Sequence, residues 1–497
     1  MSVLRRTHGL VIAGAIALGI LADLLVRVPG RPGLNVTLWA LAGVAVLWRL
    51  SRDREAQASR ETRWLVGGAV GCAGLLVLRD AEALAVFCLF SCIVLLGLAA
   101  GRAARGWAVR TNFVELVAAA VRVGALIALG PFGWGIGAAH QPAPPAAGAR
   151  SWPRLVRTAA RGTVMALPPL LVLTALLASA DPVFERVLQF ALLDALQPLL
   201  EHLLFAAVIA WLASGYLRAF LVGDDAIMDR VRVPRPALAP SEIAFALSLL
   251  NGLFLVFLIV QVRYLFGGAN LVEVTAGLTY ADYARRGFFE LVAATALVVP
   301  VLLVADWAAA EDEVRTRRVV RATSTLLVLL LIGVLASAAY RMKLYQDAYG
   351  LTEQRLYVSV IMVWLTGVLG WLAATVLRGR RRGFAFGAIV GGLACIAALH
   401  VLNPHALIAR VNLGRAEAGA EYDGKYLGTL SADAVPVLIA RLTTLPQAER
   451  CRVAKTLEKR WSGERPGGWR TWNLGDARAR RLVGDLLRTP VPETATC

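Results

Sequence analysis

The chain has 497 residues, of which 58% are hydrophobic and 17% charged, with a formal net charge of +18. Mean hydropathy is +0.63; soluble domains carry about a quarter charged residues, so a water-soluble globular fold is excluded. The 52 basic residues lie mainly in short loops between apolar runs, which points to lipid headgroups as partners and away from nucleic acid.

Taken in order, the runs long enough to cross a bilayer are 8–28, 34–50, 64–78, 83–100, 162–180, 202–221, 242–266, 288–307, 322–340, 356–377 and 384–402. The first follows Arg5 and Arg6, as a signal peptide would. It carries Asp23 and leads straight into a second run, so an uncleaved anchor is the better reading. Cys72, Cys88, Cys92 and Cys395 lie inside runs, where a thiol acts as a small hydrophobe. Only Cys451 and Cys497 can meet in a polar domain, and no CxxC occurs.

The positive-inside rule places Arg5 and Arg6 in the cytoplasm. Loops on that side then hold 26 basic residues, against ten in the opposite loops up to residue 402. Residues 112–138 are apolar enough for a twelfth span, but basic loops flank them on both sides. A crossing would also carry Glu115 and Arg122 into the membrane, at a few kcal/mol each. Pro131 and four neighbouring glycines are expected to break the second half. This segment is therefore expected to be interfacial or re-entrant, not a crossing. Its GWGIG resembles a phosphate-binding loop, but no strand precedes it.

Eleven crossings place the N-terminus in the cytoplasm and residues 403–497 outside. There the pattern turns to short amphipathic helices. Asn403-Pro404 reads as an N-cap with proline at the first helical position. Ser431 or Asp433 can cap the next helix, reaching to about 444. Residues 446–460 present Val453 and Leu457 on one face. The last helix, capped by Asn473, is expected to turn Leu474, Leu482, Leu486 and Leu487 inward. Trp461, Trp469 and Trp472 are expected to pin the connection before it.

No metal-ligand spacing or catalytic signature is present among the five histidines or elsewhere. His202 and His405 read as ordinary interfacial residues. Asn251 is the deepest polar side chain in a span, which a helix–helix hydrogen bond explains. Pro168-Pro169 and Pro300 read as kinks. Polar residues concentrate instead in three outer segments. The candidate cluster there is Asp181, Glu185, Asp282, Tyr283, Arg286, Arg341, Tyr345, Glu353 and Arg355. Asp282–Arg286 and Lys343–Asp347 have the i, i+4 spacing of helical ion pairs. Aromatic belts and salt-bridged span ends produce such segments, and so does a headgroup- or glycan-binding site.

Several stretches, among them LADLLVR (21–27), SADPVFERVL (179–188), LTYADYARRGFFELV (278–292), LNPHALIARVNLGRA (402–416) and WRTWNLGDARA (469–479), carry a family resemblance. Together they resemble a bacterial multi-pass membrane family, domain of unknown function 4173, related to domain of unknown function 4153. The resemblance implies an integral membrane protein and carries no reaction, cofactor or ligand with it.

The expectation is thus an all-α fold: a transmembrane helix bundle over 1–402 and a small extracytoplasmic helical domain over 403–497. It has no cofactor and no metal. A bacterial inner-membrane scaffold, sensor or envelope-assembly component is the first functional reading, with membrane lipids and an envelope protein as partners. A membrane enzyme or transporter handling a lipid-linked ligand at the outer face is the alternative.

Overall fold

The computed structural model describes residues 2–52, 60–105, 113–139, 191–221, 239–266, 288–309, 314–380, 383–419 and 423–488, with isolated positions between 166 and 181. The predicted crossing at 162–180 and the outer residues Glu185, Asp282, Tyr283 and Arg286 lie largely or wholly outside the described residues.

No strand occurs among the described residues. The long helices are α1 (Ser2–Leu25), α2 (Leu34–Ser51), α3 (Arg60–Leu75), α4 (Glu82–Arg105), α5 (Phe113–Ala139) and α6 (Ala191–Leu221). They continue with α7 (Pro240–Phe266), α8 (Phe288–Ala308), α9 (Val314–Tyr349), α10 (Glu353–Thr375) and α11 (Phe384–Leu402). Among the described residues, eight helices are long and apolar enough to cross a membrane, which fits a multi-pass integral membrane protein. The smaller total than eleven has local reasons. The apolar part of α1 is a shorter helix over Gly9–Leu25, and α3 has only 16 residues.

Two helix groups form the bundle. In one, α1 packs on α2 and α6, α3 on α4, and α5 on α6. In the other, α7 and α8 both pack on α9, which continues through α10 to α11. Its core is a seam of buried aliphatics including Leu247, Leu302, Leu327, Leu331, Leu335, Leu369 and Leu372. Helix α11 reaches back to α4 and joins the groups. Asn251 donates to the Thr323 carbonyl at 2.9 Å, the interhelical bond expected of a buried amide in a span.

Helix α5 departs from expectation: no break occurs at Pro131, and the helix continues to Ala139. Gly101, near the end of α4, faces Val123, while Trp211 of α6 donates to the Ala128 carbonyl at 2.9 Å. Tyr216 of α6 donates to the Leu96 carbonyl of α4 at 3.2 Å. These levels make α5 antiparallel to α6. They also place Val123 beside Gly101, near the end of α4.

The tail folds as α12 (Pro404–Glu417), α13 (Gly424–Thr429), α14 (Val435–Ala440), α15 (Gln447–Trp461) and α16 (Leu474–Arg488), with one-turn 3-10 helices at Ala432–Ala434, Leu442–Thr444 and Gly468–Thr471. Asn403 caps α12 from a left-handed conformation (φ 54°) through its side chain and the Ala406 N–H. Asn473 caps α16, accepting from the Asp476 N–H at 2.7 Å. Val453 and Leu457 are buried as their spacing predicts. The inward face of α16 differs from expectation: Asp476, Ala479 and Val483 are buried, whereas Leu474 and Leu487 are exposed. The tail's core also takes in Leu351 and Leu356 from the α9–α10 connection.

Candidate functional site

The tail meets the bundle at one end, where the α1–α2, α3–α4 and α9–α10 connections converge. The α1–α2 loop, VPGRPG, lies backbone to backbone against PGGWRTW of the tail. A Cβ on Gly33 would stand 2.7 Å from the Trp472 carbonyl oxygen, and one on Gly467 would stand 2.5 Å from the Pro29 carbonyl oxygen. Gly467 also adopts φ +76°, a region that favours glycine. Close approach lets Leu34 N–H donate to the Trp472 carbonyl at 3.1 Å, and Leu474 N–H donate to the Val77 carbonyl at 2.7 Å.

Asp80 is the centre of this junction. Its Oδ2 accepts from Arg31 at 2.8 Å and from the Ala432 N–H at 3.1 Å; its Oδ1 accepts from Asn473 at 3.3 Å. Arg31 also donates to the Asp80 carbonyl at 2.6 Å. The Asp80 N–H in turn donates to Asp433 Oδ2 at 2.8 Å. Arg79 completes the set, 3.8 Å from Asp433 Oδ1 and donating to the His400 carbonyl at 2.9 Å. Two carboxylates and two guanidinium groups therefore balance within a largely buried space.

Asp433 does not cap a helix; Ser431 does, accepting from the Asp433 N–H. Asp433 is 4% exposed. Burial raises its pKa above the ordinary carboxylate value, against the opposing effects of the Asp80 N–H and the Arg79 charge. Burial likewise raises the Tyr426 phenol and lowers the Arg460 guanidinium. Arg460 compensates by donating to the Gly428 and Leu430 carbonyls at 2.6 and 2.8 Å.

A second strand of contacts runs to α10. His405 is buried, unlike the ordinary interfacial residue expected at that position. Its Nδ1 accepts from the Ser431 N–H at 2.8 Å, which assigns the neutral ring's hydrogen to Nε2. That nitrogen lies 3.2 Å from Glu353 Oε1. Glu353 N–H donates to Tyr426 Oη at 2.8 Å. Asn412 and Leu351 exchange two bonds, of 2.8 and 2.7 Å. Below them Tyr357 stacks edge-on to Phe87 at 5.6 Å, and its buried Oη has no hydrogen-bond partner among the described residues.

The candidate cluster read from sequence separates into different environments. Glu353 belongs to the junction. Arg355 lies over the Tyr345 ring at 3.9 Å and the Tyr349 ring at 5.9 Å and donates to the Gly350 carbonyl at 2.5 Å. Arg341 is buried and turns away to donate to Gln261 of α7, while Tyr345 and Tyr349 meet edge-on at 5.2 Å. Asp181 closes a helical turn with the Leu177 carbonyl. The Lys343–Asp347 ion pair does not form: Lys343 is exposed on α9, with no carboxylate within salt-bridge distance among the described residues. Elsewhere at this end His202 stands 2.7 Å from Asp23, and Arg27 binds Glu201 at 2.5 Å.

Sequence reasoning passed over Arg31, Arg79, Asp80, His400, His405 and Asp433. The available signal was Arg79-Asp80, an adjacent opposite pair in a short connection on the arginine-poor side. No cluster of three potential metal ligands occurs among the described residues.

The family model described as Domain of unknown function (DUF4153) matches residues 66–440. The chain belongs to this family. The match shows domain of unknown function 4153, the relative named in the resemblance; it does not show the 4173 label. It runs from α3 to the end of α14, so it covers Arg79, Asp80, Glu353, His405 and Asp433 but neither Arg31 nor Asn473. No curated protein and no solved structure matches the chain.

Proposed function

We propose that this DUF4153 protein is a scaffold, sensor or assembly component of a bacterial cell envelope, presenting a rigidly held tail on the extracytoplasmic side of the inner membrane. The closed junction around Asp80 carries this reading. Its charges are used to hold two parts of one chain together and leave no reactive group aimed at a substrate. The disulfide at Cys451 supports the location, because disulfides persist in oxidising compartments.

Helix α5 is read as entering from the cytoplasmic end without completing a crossing. This keeps Arg150, Arg154, Arg157 and Arg161 on the basic side and α6 in register. Labels at residues 108 and 145 reporting opposite sides would overturn that topology.

A chain truncated after Leu402 tests the scaffold reading in a strain lacking the protein. The expected result is normal membrane insertion without rescue of the envelope defect; full rescue contradicts it. One observation favours a second reading, a lipid-handling protein: an open furrow between α9 and α10, away from the junction.

A further inference from the structure

The furrow has a volume of about 270 Å³ and is lined by Ile332, Leu335, Ala336, Ala339, Met342 and Lys343 of α9, and by Gln346, Ser359, Met362, Val363 and Thr366 across to α10. It opens sideways, since Val363 on its rim is 69% exposed. Thr366, at the inner end, spends its hydroxyl on the Met362 carbonyl of its own helix, and the other polar groups gather at one end. Lys343, Gln346 and Ser359 stand toward the tail-facing end, where Gln346 donates to Ser359 at 3.1 Å. Ile332, Leu335 and Ala336 lie at the other end.

The dimensions match one lipid leaflet. Helix α9 has 36 residues, about 54 Å at 1.5 Å per residue, so both of its ends extend past a hydrocarbon core of about 30 Å. Lys343 comes just after the apolar run ending at residue 340, at headgroup level. From there to Ile332 is eleven residues, about 16 Å along the helix and close to half the hydrocarbon thickness. The lining contains no carboxylate, and the neighbouring Asp347 leaves Lys343 unpaired. Arg355 adds a second cation nearby, seated on Tyr345.

We propose that the α9–α10 furrow is a binding site for an anionic phospholipid, with one acyl chain lying in the furrow and the phosphate held by Lys343. This goes beyond the scaffold reading and does not depend on it. A zwitterionic headgroup, whose phosphate is already balanced by its own ammonium, would gain less from the lysine, and a bare hydrocarbon nothing. A soluble phosphate would gain nothing from the apolar floor.

The full chain, reconstituted in nanodiscs of equal phosphatidylglycerol and phosphatidylcholine, tests this by native mass spectrometry after partial delipidation. Wild type should retain one phosphatidylglycerol, favoured about tenfold over phosphatidylcholine, the weight of one charge-assisted contact. K343Q should bring the two lipids to equal retention, and K343R should restore the preference. A339W should remove both lipids while leaving the tail docked. Equal retention of the two lipids by wild type, or an undiminished preference in K343Q, would overturn the proposal.

Discussion

The junction around Asp80 and the furrow beside Lys343 stand at the same end of the bundle and use charge in opposite ways. At the junction, each carboxylate meets backbone N–H groups and guanidinium groups from distant parts of the chain, and burial makes losing any partner expensive. Along the furrow, one cation stands over a largely apolar floor with no carboxylate partner among the described residues. Closed charge builds the molecule; open charge invites a ligand. Four substitutions break or sharpen that contrast.

D80A is expected to have the largest effect. It leaves Arg31, Asn473 and the Ala432 N–H without their acceptor, at a cost of about 3 kcal/mol or more. Trypsin sites within the tail, such as Arg460, should become sensitive in intact vesicles, with the bundle still inserted. G467A comes next, because a Cβ meets the Pro29 carbonyl at a positive φ. A loss of about 1–3 kcal/mol is expected, read as the denaturant concentration that releases the tail.

The third effect is a pH dependence. Asp433 has a raised pKa in the docked state, so docking takes up a proton there. Its contribution is full below the ordinary carboxylate value of about 4 and is lost as pH rises through the raised value. D433N should flatten this part of the profile when tail release is followed across that range; an unchanged slope would assign the dependence to another group. The smallest effect belongs to R355A. A cation–π contact at a partly exposed site contributes about 0.5–1 kcal/mol, so the tail should remain docked. Tail release in R355A as large as in D80A would erase the distinction between the regions.

The bundle was legible because apolar run length and arginine placement follow from bilayer thickness and leaflet charge. The caps at Asn403, Ser431 and Asn473 were legible because each acts within three residues of itself. The junction was not, since its partners are far apart in sequence: Asp80 meets Asp433, and Arg79 meets His400. Local spacing instead favoured Lys343–Asp347, which does not pair among the described residues, and left Ser431 and Asp433 as alternative caps, of which Ser431 serves. The break expected at Pro131 does not occur: α5 runs on to Ala139, packed on α6 at Ile127 and Ala128 just before the proline. The inward face of α16 was misjudged because Leu474 bonds through its backbone to Val77, leaving the side chain outside.

That backbone bond also supplies the most direct test of the closed junction. The Leu474 N–H and Val77 carbonyl are 2.7 Å apart, so cysteines at these positions fall within disulfide reach. In native membranes, V77C/L474C should cross-link readily under mild oxidation, and adding D80A should abolish most of the cross-link. Absence of the cross-link with Asp80 intact, or its full persistence with D80A, would contradict a tail held to the bundle by this network.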